Sequence, residues 1–157
     1  MSAKKKSKDR YREILNNRAR RDYHIEETLE VGIILKGTEV KAIREGLAQI
    51  HEAFVRIDQN KPILYHAHIA EYRFGTDTNH KPYRPRPLLM HKKEMQKWAQ
   101  TIQSGGRTIV PIKMYFTKGL VKVQIALARG KKLHDKREDL RKKDDLRNVQ
   151  RAIKKYS

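Results

Sequence analysis

The sequence has no cysteine, so neither disulfide bonds nor thiolate metal sites hold this fold together. It has no apolar run near the roughly 18–20 residues needed to cross a bilayer, and its opening, MSAKKKSKDRYREILNN, lacks the apolar centre of a secretory signal. A reducing cytoplasm, with no membrane contact, is the expected setting. Catalytic signatures are missing too: there is no GxxxxGK[ST] phosphate loop, no HExxH and no GxSxG. His66 and His68 put two imidazoles on one strand face, but no acidic neighbour completes a ligand set. The carboxylates of IEETLE divide between faces, Glu26 and Glu30 on one and Glu27 on the other, which works against a clustered divalent-metal site. Neither an enzyme nor a cofactor or metal is expected.

Acidic residues are also scarce, 18 against 37 Lys and Arg, for a formal charge of +19 over 157 residues. Solubility does not need that excess, and it points to a polyanionic partner, nucleic acid first. The length suits one domain. The charge is unevenly spread: residues 1–21 carry nine basic and two acidic side chains, residues 129–157 twelve and five, and the rest only a small surplus. Two basic flanks that grip a partner around a folded centre follow from that partition. The expected organisation is a basic N-terminal arm or helix over 1–22, a barrel with covering helices over 23–128, and a basic tail over 129–157.

Within the centre, Tyr23, Ile25, Leu29, Val31, Ile33 and Leu35 alternate with polar residues as a half-buried strand requires, and Gly32 marks a bend or bulge. TEVKAIREG reads as a short helix with Thr38 as N-cap, Val40 and Ile43 facing inward and Gly46 closing it. Two hairpins follow. The first pairs Ile57 with Ile63, Val55 with Tyr65 and Ala53 with Ala67. The second turns at Lys118-Gly119 and pairs Phe116 with Val121, Met114 with Val123, Ile112 with Ile125 and Val110 with Leu127. Its reverse face sets Tyr115 beside Lys122 and Lys113 beside Gln124, letters that suit either RNA contact or an ordinary solvated face. FGTDTNHKPYRPRP is a helix-breaking loop. Leu88, Met95, Trp98 and Ile102 then recur at helical spacing up to Gly105, with Trp98 as a core anchor. The fold class is mainly β with flanking helices: an OB-like antiparallel β-barrel plus a basic C-terminal tail.

Three blocks carry a resemblance. NNRARRDYHIEETLEVGIILKGTEVKAIREG, RPRPLLMHKKEM and ARGKKLHDKRE, in this order, closely resemble the SsrA-binding protein family, small protein B. The resemblance implies a protein that binds the tRNA-like domain of transfer-messenger RNA and carries it into ribosomes stalled without a usable stop codon, the tail lying in the decoding centre and empty mRNA channel against small-subunit ribosomal RNA. By motif, the barrel's RNA-binding set would be Asn16, Arg18, Arg20, Tyr23, Glu30, Leu89 and Lys122. The tail's set would be Gly130, Lys131, Lys132, His134, Asp135, Lys136 and Arg137. Pro87 stands where relatives carry a basic residue, so no phosphate contact is assigned there. The chain is expected to act as a monomer. Composition alone would equally fit a ribosome-associated structural or assembly protein, and a small ribonuclease lacks its site chemistry.

The tail is a conditional helix. Leu146, Val149, Ile153 and Tyr156 form an apolar stripe, and the Glu138–Lys142 and Asp139–Lys143 pairs contribute about 0.2–0.5 kcal/mol each. Like charges at the same spacing oppose them, among them Lys132 with Lys136 and Arg147 with Arg151. Disorder when free and helix once phosphates neutralise the cations is the expectation.

Overall fold

The computed structural model describes residues 11–75 and 78–131, and in the tail Arg141, Lys143, Asp144, Leu146, Arg147, Asn148, Gln150 and Arg151. Six strands form a ring: β2 (Tyr23–Ile33), β9 (Leu120–Gly130), β8 (Arg107–Thr117), β4 (Phe54–Asp58), β5 (Lys61–Tyr65) and β7 (Arg86–Leu89), which returns to β2. Every pairing is antiparallel and the ring closes into a barrel, its two shortest seams being β2–β7, joined at Gly32–Leu89 and Ile33–Leu88, and β4–β8, joined at Val55–Ile109. A short β1 (Ile14–Leu15) shares one edge of β8 with β4, Ile14 opposite Met114 and Val55 opposite Ile109. A two-stranded sheet of β3 (Ala48–Gln49) and β6 (His68–Ile69) stands outside the ring. The helices are α1 (Ala19–Asp22), α2 (Gly37–Arg44) and α3 (Lys92–Gln103). The mainly β, OB-like architecture expected from the sequence is the one observed.

Strand β9 sets the two faces. Val121, Val123, Ile125 and Leu127 point into the main core, packed with Val31, Val55, Leu64, Ile109, Met114 and Trp98. Ala126 and Ala128 point outward and are covered by Ala19 of α1 with Tyr23, Ile25 and Ile112. The N-terminal segment is thus part of the folded body from Ile14 onward.

Local registers depart from simple alternation in four places, each with a physical cause. The first hairpin turns on two residues, Gln59 (φ 50°) and Asn60 (φ 61°), so Val55 faces Leu64 and Arg56 faces Ile63, one residue away from the expected pairing. The second hairpin keeps its expected register from Phe116–Val121 to Lys113–Gln124. An irregularity at Ile112 then sets Val110 opposite Ala126 and Ile109 opposite Leu127. In β2 the bulge falls between Ile25 and Glu27, not at Gly32, and it moves Tyr23 and Ile25 off the core face. Leu88 lies in β7, not in the helix that follows, because its side chain fills the barrel while its backbone completes the ring.

Helix α2 starts two residues earlier than Thr38 would set it, with Lys36 at the cap, whose amide donates to Glu39 Oε1 at 2.7 Å. Glu39 is fully buried and also receives Arg84 Nη2 at 2.6 Å and Arg86 Nε. Arg86, equally buried, donates to the carbonyls of Ala67 (2.6 Å) and Pro82 (3.0 Å). His80 adds two contacts, its ring bonded to Thr38 Oγ1 and the Ile69 carbonyl, both at 2.9 Å. This network fixes the proline-rich loop onto α2 and β6, with both Glu39 oxygens bonded and only the Arg84 Nε among its buried nitrogens left without a partner. Burial opposes ionisation of Glu39, but its bonds from Arg84, the Lys36 amide and Arg86 outweigh it and hold the carboxyl below its ordinary value.

Glu39→Ala leaves the Arg86 guanidinium buried without its counter-charge. Urea titration is expected to show a loss of about 3–5 kcal/mol, and replacing both residues by methionine is expected to cost less than the single change. Since the folded-state value of Glu39 is lowered, its contribution is present above the ordinary value of 4.5 and fades as pH falls through the lower one.

Candidate nucleic-acid interface

The outer face of β2, β9 and β8 is built by the same alternation that fills the core. With Val121, Val123 and Ile125 inside, Lys122 and Gln124 must point out; their neighbours across the strands are Tyr115 and Lys113 on β8, and Gly32 and Glu30 on β2. Tyr115 Oη donates to Glu30 Oε2, and Lys113 Nζ lies 5.1 Å from the Tyr115 ring centre. Partial burial, then the Glu30 carboxylate, push the Tyr115 phenol well above its ordinary value, so at neutral pH it is a fixed donor. The carboxylate is thereby held in place, with its second oxygen available to accept from a base edge or ribose.

Leu89 adjoins this face and is 61% exposed. It lies directly against Gly32, where a Cβ would come within 3.3 Å of the Leu89 Cβ and Cδ1. Gly32, Ile33, Val40, Leu89, Leu120 and Lys122 line a cleft of about 240 Å³, apolar on one side and cationic on the other. The structure therefore brings Glu30, Leu89 and Lys122 onto one surface.

The N-terminal residues form a second group around α1. Asn16 is buried, its Nδ2 donating to the carbonyls of Pro111 (2.8 Å) and Ile50 (3.2 Å) and its Oδ1 accepting from the Arg18 amide (3.2 Å). Its side chain anchors the turn that presents Arg18 and Arg20, both exposed. Tyr23 is half-buried against the alanines of β9 and pairs across the strand with Gly130. The Lys131 amide donates to the Asp22 carbonyl at 2.9 Å, so the tail departs from beside α1. Lys132, His134, Asp135, Lys136 and Arg137 lie outside the described residues. The eight described tail residues between Arg141 and Arg151 are helical and exposed.

Two other carboxylates of β2 have structural partners. Glu27 accepts from Trp98 Nε1 at 2.7 Å, which with Lys97 holds its carboxyl low, and Glu26 accepts from Arg107 Nε at 3.0 Å. Trp98 is fully buried, as its helical spacing predicts. Among the described residues, no group of three or more His, Asp or Glu is placed to hold a metal ion.

A closed antiparallel barrel with a cationic, aromatic outer face and basic flanks defines a small OB-like protein of the nucleic-acid-binding type. The family model described as SmpB protein matches residues 13–155. The SsrA-binding protein of Shouchella clausii is 52% identical over 139 residues, covering 88% of this chain and 89% of that protein. That of Streptomyces avermitilis is 50% identical over 150 residues, covering 94% and 85%. A chain from a solved structure of tmRNA-SmpB at the centre of the bacterial ribosome superposes with a TM-score of 0.65 at 43% identity, covering 77% of this chain and 85% of that one. The chain belongs to the SmpB family of SsrA-binding proteins.

The Tyr115–Glu30 bond is open to direct measurement. In an alkaline absorbance titration one of the seven tyrosines should keep its proton after the others ionise, and Glu30→Gln should lower that last midpoint towards the ordinary 10. Seven tyrosines titrating together in the unaltered protein would contradict the arrangement.

Proposed function

We propose that the chain binds the tRNA-like domain of transfer-messenger RNA and delivers it to stalled ribosomes, where its tail enters the decoding centre and vacant mRNA channel. The observation that carries this reading is the meeting, on one outer surface, of Glu30, Leu89 and Lys122, in a chain half identical to SsrA-binding proteins. Lys122 supplies charge for phosphate, Leu89 an apolar surface for an unstacked base, and Glu30, oriented by Tyr115, a hydrogen-bond acceptor that reads a base or ribose. Asn16 acts through position, fixing the turn from which Arg18 and Arg20 reach phosphate, and Tyr23 lies between that turn and the root of the tail.

The tail then serves a second RNA surface. Gly130 and Lys131 anchor it beside α1, and Lys132, His134, Asp135, Lys136 and Arg137 are the residues assigned to the ribosome, the cations meeting phosphates and His134 stacking on a ribosomal base. No catalytic step is assigned to the chain: it positions RNA, and the cytoplasm is its setting.

Truncation after Lys131 preserves the Tyr23–Gly130 pairing and the Lys131–Asp22 bond. It is expected to leave binding to the tRNA-like domain within about twofold while abolishing tagging on stalled ribosomes in a reconstituted translation assay. Loss of both together would contradict two separate RNA surfaces.

A further inference from the structure

A second cleft, of about 230 Å³, opens where β3 and β6 pair, and its lining shares no residue with the Leu89–Lys122 cleft. Arg18 stands at one side, and Gln49, His51, His66, His68 and Tyr83 supply most of the rest. The core does not use these side chains: Ile50, Ala53, Ala67 and Ile69 take the buried positions of the same segments. What remains is a guanidinium and three imidazoles beside a tyrosine ring that is 63% exposed.

The rings are held rather than loose. His66 sits in the left-handed backbone region (φ 61°) with its ring 5.2 Å from that of Phe54, and His68 meets the Tyr83 ring edge-on at 4.9 Å. The Nδ1 of His51 is shut off from solvent with no hydrogen-bond partner, so its ring gains a bond if it turns towards a ligand. The one carboxylate, Glu52, is strongly exposed and meets Arg18 only at 3.9 Å, a surface pair that a phosphate displaces at little cost.

We propose that this cleft holds one nucleotide of an RNA chain, its phosphate on Arg18 and His51 and its base against Tyr83. The inference rests on the chain being an RNA-binding protein and extends its RNA surface to residues away from the Glu30 face. Both the tRNA-like RNA and ribosomal RNA offer this chemistry, and binding assays separate them.

The full chain, Tyr83→Ala, His51→Ala and His51→Arg are titrated by fluorescence anisotropy with a labelled tRNA-like fragment and, separately, with labelled small ribosomal subunits. Both alanine variants are expected to bind one of the two RNAs about fivefold or more weakly, with His51→Arg, which keeps a phosphate donor, within twofold. The RNA that loses affinity identifies the source. Thermal unfolding monitors the fold, and Tyr83→Ala, at an exposed site, decides the matter should a His51 variant unfold. If both alanine variants bind both RNAs within twofold of the unaltered chain, the cleft is not a nucleotide site. Failure of the wider reading looks different: the unaltered chain then shows no preference for the tRNA-like fragment over duplex RNA.

Discussion

Gly32 is the residue of β2 that is paired on both edges, with Lys122 of β9 on one side and Leu89 of β7 on the other. The barrel closes at this point, and a side chain here would press on Leu89. The same absence of a Cβ lets Leu89 lie flat beside Lys122, so one steric constraint both completes the ring and composes the surface. Glu30, two residues back on the same face, falls into place by strand periodicity, and Tyr115 fixes its carboxylate from the next strand but one.

The irregularities at Glu26 and Ile112 do for the N-terminal group what Gly32 does for the outer face. Each adds a residue to its strand against an uninterrupted β9, turning Tyr23, Ile25, Val110 and Ile112 outward over Ala126 and Ala128. Small residues on β9 leave room for α1 to pack closely. The turn that presents Arg18 and Arg20 therefore rests on the barrel beside the point where the tail leaves, and two basic segments share one small apolar support.

Much of this was legible in the letters. Strand alternation, the second hairpin up to its irregularity, the Met95–Trp98 helix face and the split of charge all express local periodicity. The family's motifs singled out Glu30, Leu89 and Lys122, and the fold sets these three on one surface. What was not legible depends on partners distant in the chain. A bulge changes no letter in its own strand and is fixed by the register of its neighbour. Gln59-Asn60 turns tightly without the glycine that usually announces such a turn. Leu88 fits both a helical and a strand pattern, and the demand for ring closure decides between them. The Glu39–Arg86 pair joins residues 47 apart, and the Tyr115–Glu30 bond residues 85 apart, separations at which sequence spacing carries no signal.

Chemical logic joins these parts: the barrel commits its backbone groups to structure, leaving the side chains of one outer face for the RNA contact proposed above, while most of the excess charge sits in the two flanks. The most direct test is capture of the tagged full-length chain from a bacterial lysate at moderate salt, followed by sequencing of the RNA retained. The account predicts enrichment of an RNA with a tRNA-like end and an internal message, lost on combined Glu30→Ala and Lys122→Ala substitution. Recovery of ribosomal RNA alone, or of unselected RNA unaffected by those substitutions, would contradict it.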